Sequence, residues 1–176
     1  MNMKSNLTKI LAIFIGCCFF SDLVIAQDDT YATPERLFHV ERSKNKNIIC
    51  YDVKFDEQNK WNSSDPINIY WVNREETPGK TNGLSAIQKR LAFGYKSISK
   101  DDNSCKIALN ASKDREITIL LKGRRYIAEM MINNKPARLT KVFVQASPNN
   151  SLSVEYVELF GIEDETGEEI SEKIYK

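Results

Sequence analysis

From Leu37 onward, apolar residues recur at every second position in short runs, and turn-forming residues separate the runs. That rhythm constrains the fold more than any other feature, because a two-residue period puts alternate side chains on opposite faces of a strand. Ile49, Tyr51, Val53 and Phe55 alternate with Cys50, Asp52 and Lys54, and Ile67, Ile69 and Trp71 alternate with Asn68 and Tyr70. Both runs predict half-buried strands. Trp71, on the apolar face, is the buried member of its pair with Tyr70. Further strands are expected at 37–41, 93–98, 105–109, 116–121, 126–132, 138–145, 152–162 and 169–175, where Val, Ile, Tyr and Phe concentrate. Ala128, Glu129 and Met130 favour helix, as does part of 155–159, but flanking turns and β-branched neighbours favour strand there.

Turn chemistry punctuates the same stretch. Asn133-Asn134 predicts a tight hairpin, since Asn tolerates positive φ better than most residues. The run from Ser43 to Asn47 reads as the turn after the first strand, and Asp164 to Gly167 as the last turn. One helix is expected after the Thr77-Pro78-Gly79 break, capped by Asn82, with Leu84, Ile87 and Leu91 forming an apolar stripe. About nine strands with one short inserted helix describe a mainly β fold: a single antiparallel β-sandwich or a partly closed barrel.

The first 26 residues break this pattern. Lys4 and Lys9 precede the apolar run 10–20, and Val24-Ile25-Ala26 supplies compact residues for cleavage before Gln27. These are the three parts of a secretory signal peptide. The run of about 11 residues falls well short of the roughly 20 that a spanning helix needs, so no membrane span is expected after cleavage. Phe14-Ile15-Gly16-Cys17 approximates a lipid-attachment site, so the alternative is a protein anchored through Cys17. The expected organisation is a signal peptide at 1–26, a flexible leader at 27–36 and a single β-rich domain at 37–176, exported to the periplasm or beyond.

Of 25 Lys and Arg and 24 Asp and Glu, the signal carries two and one, so the remaining chain is neutral. Such a balance makes no long-range field for nucleic acid or an anionic membrane surface. Two of the four cysteines lie in the signal, leaving Cys50 and Cys105 in an oxidising space. They either form a disulfide across a loop of about 55 residues, with stabilisation of a few kcal/mol, or stay as separate buried thiols.

Candidate chemistry is sparse. The single His39 shares a strand face with Glu41, a pair able to move a proton or hold a metal, or to serve only as surface hydrogen-bonding groups. No second His completes a zinc site, no glycine loop cradles a phosphate, and no cofactor is indicated. The densest polar cluster is His39, Glu41, Arg42, Ser43, Asn45 and Asn47. Arg42 could clamp a carboxylate or phosphate while Ser43, Asn45 and Asn47 bond hydroxyls; otherwise Arg42 pairs with a carboxylate such as Asp52 and the rest hold the turn. Tyr70, Arg74 and Tyr95 are further candidates for ligand contact, since rings beside polar groups suit sugars or peptides. Lys122, Arg124, Arg125, Lys135 and Arg138 flank two turns and read as solvated turn residues rather than a basic patch.

Four ordered blocks carry a family resemblance. The block from Phe38 to Asp52, Asp65-Pro66-Ile67-Asn68-Ile69-Tyr70-Trp71-Val72, Leu91-Ala92-Phe93-Gly94-Tyr95 and Val157-Glu158-Leu159-Phe160-Gly161 together resemble DUF4833, a family of exported bacterial domains of unknown function. The resemblance runs from about Leu37 to Lys173. It implies one exported domain and brings no activity, ligand or catalytic residue. The sequence reading is therefore a non-enzymatic binding or accessory module of the cell envelope, taking a small molecule, a glycan or an envelope protein. The alternative is a small envelope hydrolase or other enzyme using His39 with Glu41 or Arg42.

Overall fold

The computed structural model describes residues 35–101 and 103–176. The signal segment with Cys17, and the leader up to residue 34, lie outside the described residues. Eleven strands form one sheet curled into a half-barrel. They are β1 (Arg36–Arg42), β2 (Asn45–Val53), β3 (Ile67–Val72), β4 (Thr81–Gly83), β5 (Tyr95–Lys100), β6 (Ser104–Leu109), β7 (Ser112–Lys122), β8 (Arg125–Ile132), β9 (Lys135–Ser147), β10 (Asn150–Glu163) and β11 (Glu169–Tyr175). The fold is mainly β with a single short helix, as the alternation predicts. β4 is an addition, because Thr81, Asn82 and Gly83 carry no apolar pattern and are held by pairing with β3 alone.

The sheet branches at β9. Arg138 pairs with Glu129 of β8 and Ile162 of β10, while Lys141 pairs with His39 of β1 and Phe160 of β10. β8 and β1 therefore share one edge of β9 and β10 takes the other. One wing runs β4-β3-β2-β1 and the second runs β5-β6-β7-β8. Neighbours are antiparallel except β1 and β9, which run parallel with Val40 opposite Val142. At Gly161, beside a register shift in β10, an added Cβ would sit 2.6 Å from Ile132 Cδ1 and 2.8 Å from Arg138 O. Only a residue without a side chain lets the strands approach there.

The two inner faces meet over one core that includes Phe38, Tyr51, Ile107, Ile119, Ala128 and Leu139. Phe38 stacks on Tyr51, with centroids 4.4 Å apart, and the Tyr51 hydroxyl donates to Phe93 O at 2.8 Å. Trp71 lies on the inner face against Phe93, as its alternation predicts, but it is only half-buried, as is Tyr70. β2 departs from the half-buried expectation, for Ile48 to Val53 are buried on both faces. On the outer face Cys50 sits between His39 and Tyr70 in register, and Asp52 bonds Arg36 and Tyr70.

The helix differs most from expectation. Ser85 caps it, in a capping box with Gln88, and Asn82 lies in β4 instead. Ala86–Gln88 forms α1, and Lys89–Phe93 continues as a π-helical turn. Leu84 is buried, but Ile87 and Leu91 face solvent at 63% and 66% exposure. A segment this short has one contact side, and Ala92 and Phe93 occupy it through the wider winding.

Cys50 and Cys105 are buried free thiols, the second of the two states that the sequence allows, and no disulfide joins them. Cys50 belongs to the β1–β4 wing and Cys105, opposite Ile119, to the other. Burial pushes both thiols up to about 11, so they remain protonated at neutral pH.

Candidate functional site

The seam between β1 and β9 gathers charge on the outer face. Parallel pairing puts His39 beside Lys141 and Glu41 beside Phe143. Arg74 reaches the same spot from beyond the end of β3, where its backbone N–H donates to Asn47 Oδ1 at 2.9 Å. Three basic side chains thus face one carboxylate. His39 Nε2 lies 3.5 Å from Glu41 Oε1, Arg74 Nη1 lies 3.3 Å from the same oxygen, and Lys141 Nζ lies 3.9 Å from Oε2. The hydrogen bond from His39, with the charges of Lys141 and Arg74, holds the Glu41 carboxyl below the usual range against the opposing effect of burial. All four side chains are about a quarter to a third exposed, so a ligand can reach them.

Next to this cluster an aromatic row crosses the strands. Phe143 of β9 stands 6.3 Å from Tyr156 of β10, and Tyr156 stands 5.8 Å from Tyr175 of β11. Lys173 Nζ sits 4.4 Å from the Tyr156 ring centre, and Lys141 Nζ sits 4.2 Å from that of Phe160. Ammonium groups at this range are attracted to the ring faces. Lys173 also lies 3.8 Å from Glu158. The pairings Glu41 with Phe143, Phe143 with Glu158 and Tyr156 with Tyr175 place all of these groups on one sheet face.

The other expected site residues divide among structural roles. Ser43 extends the β1–β9 pairing: its N–H donates to Val144 O at 3.1 Å, and its Oγ accepts from Ala146 N–H at 3.0 Å. Arg42 pairs with Asn45 across a two-residue turn that is shorter than expected, and Asn45 Oδ1 accepts from Asn47 N–H at 2.9 Å just after it. Arg42 turns to the inner side, its guanidinium 5.9 Å from the Phe93 ring centre, and does not pair with Asp52. Arg36 takes that carboxylate, and the Tyr70 hydroxyl donates to Asp52 Oδ2 at 2.5 Å while accepting from Arg36 at 3.2 Å. Burial, reinforced by the bond to Asp52, pushes the Tyr70 phenol up to about 12. Tyr95 is distant from the cluster and donates to Asp65 Oδ1 at 3.0 Å. Among the turn-flanking basic residues, Lys122 pairs with Glu129 and Asp164 and Lys135 with Glu163, so these two are neutralised locally.

The model of one family, Domain of unknown function (DUF4833), matches residues 38–173. The chain belongs to the DUF4833 family. No curated protein and no solved structure matches it. The matched span of this DUF4833 domain includes the whole charged cluster and Phe143 and Tyr156 of the row. Among the described residues no group of three or more His, Cys, Asp or Glu could hold a metal, and no helix is long and apolar enough to cross a membrane. Sequence reasoning found His39, Glu41 and Arg74 of the DUF4833 outer face but missed Lys141, Phe143, Tyr156 and Tyr175. Alternation puts Lys141 with Phe143, but only the pairing of β1 with β9 brings them to Glu41.

Proposed function

We propose that the domain is an exported, non-enzymatic binding module of the cell envelope and that its ligand is a glycan carrying a carboxylate. The observation behind this reading is the continuity of the outer face, where the basic ring around Glu41 leads directly to Phe143, Tyr156 and Tyr175. Sugar rings offer apolar C–H faces to aromatic side chains and hydroxyls to polar ones, and this face supplies both. Arg74, Lys141 and His39 gather around the Glu41 carboxylate, and basic side chains so grouped attract an anionic group. Of the pairs that the enzymatic alternative would use, Glu41 stands 3.5 Å from His39, whereas Arg42 faces away from it. Export rests on the signal pattern of residues 1–26.

Calorimetric titration with matched acidic and neutral oligosaccharides tests the reading. Uronate-bearing chains are expected to bind more tightly than their neutral counterparts, and Tyr156→Ala is expected to weaken binding by roughly tenfold. Equal affinity for acidic and neutral sugars would refute the ligand class. A turnover abolished by His39→Ala would refute the non-enzymatic reading.

A further inference from the structure

The concave side of the half-barrel holds an apolar cavity of about 90 Å³. Its walls include Phe93, Leu109, Met130, Leu139, Val144 and Val157, and besides Tyr51, whose hydroxyl is bonded to Phe93 O, the polar side chains of the lining are Ser112, Arg115 and Lys176. A site needs roughly 10–15 Å³ to admit one water, so the space suffices, but these walls give water few partners. Apolar cavities of about 150 Å³ hold small hydrocarbons instead. The last few carbons of an alkyl chain suit this one.

Two features at the cavity indicate what such a chain carries. Ala92 and Phe93 line the cavity from the π-helical turn, a winding frequent at functional sites, and Ile87 and Leu91 of the same segment stand exposed. Arg42 lies over Phe93 with no acidic partner among the described residues, whereas Arg115 is held by Glu172. Arg42 and Lys176 are thus the cations at the cavity without a carboxylate partner among the described residues, and Arg42 is the one that lies over its Phe93 wall. We infer that the half-barrel has a second binding site, independent of the outer face, in which the cavity takes the tail of a medium-chain alkyl carboxylate and Arg42 holds its head.

Trp71 reports on this site, because its ring centre lies 5.5 Å from that of Phe93. In the full chain carrying Trp61→Phe, butanoate through decanoate should change Trp71 emission saturably, with affinity rising about fourfold per added methylene. Thermal midpoints of the unsubstituted chain should rise in the same order. Octanol, with the same tail and no charge, should bind about tenfold more weakly than octanoate, and Arg42→Gln should bring octanoate to the octanol level. Val144→Phe, or Ala92→Leu if the first variant does not fold, should abolish both responses by filling the cavity. An emission change that never saturates, affinity independent of chain length, or octanoate binding unaffected by Arg42→Gln would overturn the inference.

Discussion

Glu41 is a carboxylate whose charge the fold favours, and this has a pH signature. With its folded pKa below the ordinary glutamate value, the group adds stability above that value and loses it as pH falls through the folded pKa. Urea denaturation midpoints of the unsubstituted chain and Glu41→Gln should therefore differ most near neutral pH and converge as pH falls below the ordinary glutamate value of about 4.3. A gap that stays constant from pH 7 to pH 3 would contradict the assignment. At this scale the sequence was legible wherever one strand sufficed. His39 and Glu41 share a face by alternation alone, and the structure places them 3.5 Å apart. The partner of Asp52 was not legible, since the choice between Arg36 and Arg42 depends on the register of β1 with β2 and its shift between Arg36 and Phe38. Arg74 joins Glu41 across an entire strand, which no local pattern encodes.

Strands and tight turns were legible because their signals are local. Asn133 and Asn134 adopt φ of 51° and 62°, the left-handed pair that the dipeptide predicts, with Ile132 opposite Lys135. Asn134→Val should cost about 1–2 kcal/mol in urea denaturation, because a β-branched residue resists positive φ, while Asn134→Gly should be tolerated. Equal stability of the two variants would count against that turn geometry. The helix shows the opposite case. Its apolar spacing predicts a buried stripe of Leu84, Ile87 and Leu91, yet the segment winds for one α-helical turn and then widens, leaving two of the three in solvent. The Ser85-x-x-Gln88 box was the better signal for where it begins.

For the whole molecule, the alternation was enough to give a mainly β chain but could not give its branch. Parallel pairing of β1 with β9 joins segments about a hundred residues apart, and this junction puts both wings on one strand. If the wings open only together, Cys50 and Cys105, one in each, should resist alkylation equally in the folded chain and become reactive at one common urea concentration. Earlier exposure of either thiol would show that its wing opens alone. The same junction sets a timetable for the growing polypeptide. At roughly 5–20 residues per second, β1 leaves the ribosome about 5–20 s before β9, and during that wait its edge has no partner to complete the ladder. A holdase that shields newly made β1 until the second half of the chain arrives would raise the yield of folded protein, and one added after synthesis would come too late.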